Sequence, residues 1–152
     1  MNYANNHAAM NKYAQVSNQS SAAFANPHRL IQMLMEGALE KISKAKGFMK
    51  NGDIARKGEH ISWAISIIEG LRVSLDHSQG GKISENLESL YLYMNSRLTQ
   101  ANLNNSLEML EEVADLLLDI KSGWDAIPQD VIDNHAKSNA GIQPKSLANA
   151  KI

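Results

Sequence analysis

The chain has 152 residues, 43% of them hydrophobic and 20% charged, with a net charge of −1 and no cysteine. That length suits one domain with one core. The interspersed charge leaves no broad positive field for nucleic acid or an anionic membrane, and the missing thiols exclude disulfides, thiolate metal sites and a cysteine nucleophile. Aromatic residues at 5% and three prolines favour helices over a sandwich of strands, so the expected class is all-α.

Residues 1–25 are rich in Asn, Ser and Ala. Met10, Tyr13 and Val16 recur every three residues, which leaves two readings open: a short helix that docks on something, or a frayed tail. The opening Met1 to His7 has no basic region followed by an apolar run, and no later stretch approaches the length of a membrane span. The expectation is a cytoplasmic protein without membrane insertion.

Asn26-Pro27 supplies an N-cap followed by proline at the first helical position. The first helix then carries Leu30, Ile31, Leu34, Met35, Ala38, Leu39, Ile42, Ala45 and Met49 at three-four spacing until Asn51-Gly52 ends it. Gly37 inside it points to a close approach of a neighbouring helix. Asp53 caps the second helix, whose seam of Ile54, Ile61, Ala64, Ile65, Ile68, Leu71 and Leu75 is expected to run on to a stop at Gly80-Gly81. Ile83 to Ala101 forms the third, with Leu87, Leu90, Tyr91, Met94 and Leu98 inward, and Asn102 to Asn105 connects it to a fourth that begins near Ser106. There Leu110, Val113, Leu117, Ile120 and Trp124 alternate by three and four, the seam of a helix at a shallow angle to antiparallel neighbours.

Long helices joined by short loops predict an antiparallel up-down-up-down four-helix bundle over 26–126. It is flanked by a flexible segment over 1–25, with a short helix as its expected element, and a mobile tail over 127–152, where Val131 and Ile132 permit one helical turn.

Several helices are apolar over a wider arc than a bundle core needs. Leu116 and Met109 extend one flank of the fourth helix, Leu118 and Leu107 the other; Ile67, Trp63 and Val73 project from the second, and Leu92 and Tyr93 from the third. A homodimer interface, a fifth helix from the tails, and a groove for a partner's amphipathic helix would each cover such a surface. Methionines within the helices add side chains that repack readily.

Catalytic patterns are not found. A di-iron bundle needs Glu-x-x-His pairs, whereas Glu59-His60 and Asp76-His77 are adjacent and diverge by about 100°. Histidine phosphotransfer through His60 is the enzymatic alternative, but Trp63 would crowd the phosphate. Gly80-Gly81 has no strand beside it and is no phosphate loop. Neither a metal nor a cofactor is expected, and the residues suggest an interaction protein rather than an enzyme. A self-associating structural bundle is the competing class.

One ordered set of residues is more specific. Tyr13-Ala14-Gln15-Val16, Asn26-Pro27-His28-Arg29-Leu30-Ile31, Met33 to Ala38, Asn51-Gly52-Asp53 with Lys57-Gly58-Glu59, then Gly80-Gly81-Lys82-Ile83 followed by Asn86-Leu87, Leu90-Tyr91, Tyr93-Met94, Arg97-Leu98 and Ala101-Asn102, and finally Val113 to Trp124 together resemble the flagellin-specific export chaperones, the FliS family, over roughly residues 10–125. The resemblance implies a cytoplasmic chaperone that binds the C-terminal region of flagellin, keeps it unpolymerised and presents it to the flagellar export gate. Joined to the surplus apolar surface, it makes Ile67, Leu71, Leu92, Tyr93, Leu116 and Leu118 the candidate flagellin-binding residues. It also makes Met10, Tyr13 and Val16 candidates for capping the groove or docking at the gate. A co-chaperone and a second copy of the chain are further partners to consider. The chain departs from the family pattern at Met35, at Leu92 and in the tail after Pro128.

Overall fold

The computed structural model describes residues 26–135 and Lys137; the segment carrying Met10, Tyr13 and Val16 lies outside the described residues. All regular structure among the described residues is helical: α1 (Pro27–Lys50), α2 (Ile54–Val73), α3 (His77–Asn104) and α4 (Leu107–Asp125). Residues Ile31–Ala126 form one compact unit. The other unit is described by itself: Asn26 caps the start of α1, its Oδ1 accepting from the Arg29 N–H at 3.4 Å, and residues 129–135 are helical.

Cross-helix contacts fix the topology. From α1 to α2, the Lys41 ammonium lies 3.7 Å over the Trp63 ring and Phe48 lies 4.9 Å from His60. From α2 to α3, Arg72 pairs with Glu88 and Lys57 bonds the Asn102 carbonyl. Arg97 pairs with Glu112 between α3 and α4. Lys46–Glu111, Glu36–Lys121 and Gln32–Asp125 tie α1 back to α4. Wherever one helix of a pair supplies two or more such partners, its numbering rises as the other's falls. Each helix therefore runs antiparallel to its neighbours and the ring closes: a four-helix, up-down-up-down bundle.

The core sits on its axis. Met35, Ile42, Ile61, Ile68, Leu71, Met94, Leu98, Leu110, Val113 and Leu117 are fully enclosed, and the expected seams of α1 and α4 supply their share. Each fully buried aliphatic chain contributes about 1.5–3 kcal/mol relative to exposure.

Three expectations need correction. The second helix stops at Val73, short of Gly80-Gly81: the Ser74 hydroxyl donates to the Leu71 carbonyl at 2.7 Å, and the Asp76 carboxylate caps a new helix through the Ser78 N–H at 3.0 Å. Gly80-Gly81 thus lies inside α3 and kinks it, Gly81 adopting φ 52°, ψ −124°. The third helix runs on to Asn104, where Asn105 in the left-handed region closes it. Gly37 does not mark an unusually tight approach, since a Cβ there would meet Ile67 Cδ1 at an ordinary 3.7 Å.

One charged group is built into the core. Lys57 is buried, and its ammonium donates to the Asn102 carbonyl and to Asn105 Oδ1, both at 3.0 Å. Those acceptors belong to the C-terminus of α3, where the helix dipole favours a cation.

Candidate interaction surface

Apolar side chains that the core leaves uncovered identify where a partner can bind. Of the six residues expected to form that surface, Ile67 and Leu71 do not: they are 7% and 1% exposed and belong to the core. Leu71 lies seven residues from Ala64 and continues its buried line. Ile67 lies on the α1 side of that line, opposite Gly37, where even a Cβ would sit at an ordinary 3.7 Å from its Cδ1.

The other four are reachable but not contiguous. Leu92 is 51% exposed and Tyr93 45%; as neighbours on a helix they diverge by about 100°. Tyr93 turns toward α4, where its hydroxyl donates to Glu112. Leu116, half-buried, is four residues from Glu112 and shares that α3–α4 flank. Leu118, 48% exposed, is three residues from Lys121, which pairs with Glu36 of α1. It therefore lies on the opposite flank of α4.

Ile54, Val73, Ile83 and Leu103 are also large and exposed. Sequence reasoning placed Ile54 in a seam and Leu103 in a loop. Both stand at helix ends, where the periodic signal no longer says which way a side chain turns. The kink at Gly81 does the same for Ile83.

Polar groups organise the α3–α4 flank. Arg97 sends Nη2 to Glu112 Oε2 at 2.8 Å and Nη1 to Gln100 Oε1 at 3.3 Å, and its guanidinium lies 5.9 Å from the Tyr93 ring centroid. The Tyr93 hydroxyl and then the Arg97 guanidinium hold the Glu112 carboxyl below the ordinary carboxylate range. The hydrogen bond to Glu112 in turn pushes the Tyr93 phenol up. On the α2–α3 side Arg72 bridges Glu69 and Glu88, and its hydrogen bonding lowers the Glu69 carboxyl.

On the α1–α2 side His60 packs between Phe48 and Trp63, with Nδ1 2.8 Å from the Arg56 carbonyl. The ring is half-buried there. Among the described residues no group of His, Asp and Glu could hold a metal, and no helix is long and apolar enough to cross a membrane.

The described residues thus form a four-helix bundle that leaves Leu92, Tyr93 and Leu118 about half exposed. The family model for the flagellar protein FliS matches residues 9–131, and the chain belongs to that family. It is 50% identical over 119 residues to the flagellar secretion chaperone FliSB of Pseudomonas aeruginosa, covering 78% of this chain and 94% of that protein. With the flagellar secretion chaperone FliS of Salmonella typhimurium it shares 47% over 116 residues, covering 76% and 86% of the two chains. The Vibrio cholerae chaperone of the same name is 42% identical over 120 residues, 79% of this chain and 88% of that one.

Proposed function

We propose that this protein is a flagellar secretion chaperone whose client is the C-terminal segment of flagellin, which it keeps unpolymerised in the cytoplasm and delivers to the flagellar export gate. The observation that carries the reading is the match to flagellar secretion chaperones along nearly the whole bundle. The uncovered Leu92, Tyr93 and Leu118 support it, because a disordered amphipathic segment that folds on binding needs apolar side chains of this kind to pack against. Met10, Tyr13 and Val16 are proposed to cap the surface before the client arrives or to dock the loaded complex at the gate.

Filament assembly tests the reading. Flagellin from the same organism, seeded and followed by light scattering, should fail to elongate once one equivalent of the chaperone is present, and a flagellin lacking its C-terminal segment should escape binding. Unchanged elongation at several equivalents contradicts the proposal. A concentration-dependent dimer that ignores flagellin would favour the self-associating bundle instead.

A further inference from the structure

Glu112 has two carboxylate oxygens and three donors with a claim on them. Oε1 accepts from the Tyr93 hydroxyl and Oε2 from Arg97 Nη2. The third donor, Arg97 Nε, shares a guanidinium edge with Nη2, is shut off from solvent and has no acceptor. An arginine edge of this kind matches a carboxylate with two parallel hydrogen bonds. Here only the Nη2 bond forms, while the Tyr93 hydroxyl bonds the second oxygen and Nε makes none.

We propose that Tyr93 and Arg97 Nε exchange for Glu112 Oε1, and that the exchange makes Tyr93 a displaceable aromatic anchor for the apolar face of the client segment on the α3–α4 flank. The anchor role rests on the flagellin-chaperone reading above; the exchange itself does not. Turning Tyr93 outward costs one hydroxyl–carboxylate bond. The Glu112 carboxylate then turns to meet both Nε and Nη2, replacing that bond and satisfying a buried donor that was orphaned, while the freed hydroxyl meets water. Two arrangements with the same number of bonds to Glu112 lie close in free energy, so modest differential contact by a ligand selects between them.

Tyr93 suits the role: it is nearly half exposed, and its ring lies beside the Arg97 guanidinium. The half-buried Leu116 shares the flank. Aromatic side chains with few rotatable bonds are the usual anchors of such interfaces.

The side-chain Nε–H signals of Arg29, Arg56, Arg72 and Arg97 in an amide-type correlation spectrum, assigned by substitution, read the exchange directly. In the free Tyr93→Phe chain the Arg97 Nε–H signal should move downfield from its wild-type position. The same shift should arise when wild type is saturated with a peptide of the flagellin C-terminal segment, and Tyr93→Phe/Glu112→Gln should abolish it. In binding, Tyr93→Phe should hold the peptide about 2- to 10-fold more tightly than wild type, because a bond that binding breaks is already gone, and Tyr93→Ala should weaken it about tenfold or more.

An Arg97 signal unmoved in free Tyr93→Phe overturns the exchange. Binding by Tyr93→Phe as weak as by Tyr93→Ala overturns the displaceable anchor. Failure of the wild-type chain to bind the peptide overturns the client assignment and the anchor with it, while the Arg97 signal still decides the exchange.

Discussion

The ammonium of Lys57 on α2 lies 3.0 Å from the carbonyl oxygen of Asn102 on α3, inside the bundle and away from any carboxylate partner described for it. The pair links the beginning of one helix to the end of the next. Lys57→Met keeps the aliphatic volume but removes the donor to the half-buried Asn102 carbonyl, while the exposed Asn105 side chain can turn to water. The expected loss is about 1–3 kcal/mol, seen as a lower urea midpoint with unchanged slope. An unchanged midpoint would mean that water satisfies those groups and the lysine is not a structural tie.

The α3 kink depends on two glycines for different reasons. A Cβ on Gly80 would fall 1.7 Å from Ser84 Oγ and 2.9 Å from Ser84 Cβ, while Gly81 needs a positive φ. Gly80→Ala should therefore destabilise by about 1–3 kcal/mol through overpacking. Gly80→Ala/Ser84→Gly, which removes both clashing atoms, should recover part of that loss in thermal denaturation. No recovery would place the strain elsewhere than at Ser84.

Gly37 behaves in the opposite way. Its helical position has room for a methyl group at ordinary contact distance from Ile67, so Gly37→Ala should raise stability by roughly 0.5–1 kcal/mol through helix propensity. A fall in the melting temperature would show that α1 and α2 pack more tightly there than the 3.7 Å contact implies.

Acid should loosen the bundle in a definite window. Glu40, Glu69 and Glu112 are held below their ordinary value of 4.5, through hydrogen bonds from Lys44, from Arg72, and from Tyr93 and Arg97 respectively. A carboxyl depressed in the folded state contributes stability that is fully present above its unfolded pKa and is lost as pH falls through its folded value. Stability should be level above that unfolded range and decline below it, and Glu112→Gln should flatten part of the decline. An acid limb in Glu112→Gln as steep as in wild type would remove Glu112 from the account. These carboxylates are solvent-accessible, so the contribution should shrink in high salt.

Much of the bundle is legible in the sequence because its signals are local and periodic. Asn26-Pro27, Asp53 and Ser106 mark the starts of α1, α2 and α4, and the three-four spacing of Leu110, Val113 and Leu117 gives the buried line of α4. The α2–α3 boundary is misread because two stop signals compete over Ser74 to Gly81. Glycine identity suggests the later one, while the side-chain bonds of Ser74 and Asp76, which a propensity argument weighs less, set the earlier.

The binding surface is less legible for a different reason. Ile67 and Leu92 both look like surplus apolar residues on a helical wheel, yet one is enclosed by α1 and the other faces outward. What decides it is whether another helix faces the position: α1 lies against Ile67 at Gly37, while Leu92 stays half exposed. The Tyr93–Glu112–Arg97 cluster has no sequence signal at all, since it depends on the register between α3 and α4.

That distinction is testable by substitution. Ile67→Asp should unfold the bundle or cost about 3 kcal/mol or more by burying an unpaired charge, whereas Leu92→Asp and Leu118→Asp should leave stability within about 1 kcal/mol and weaken client binding. Intact stability with Ile67→Asp would mean that this residue is interface after all.

The most direct measurement is titration calorimetry of the wild-type chain with a peptide of roughly the last 40 residues of its own organism's flagellin, a length that spans about 60 Å if helical. A one-to-one complex should form with a strongly negative heat-capacity change, the mark of apolar burial coupled to folding. An absence of heat at several temperatures, or heat that tracks dilution of the chain alone, would contradict it.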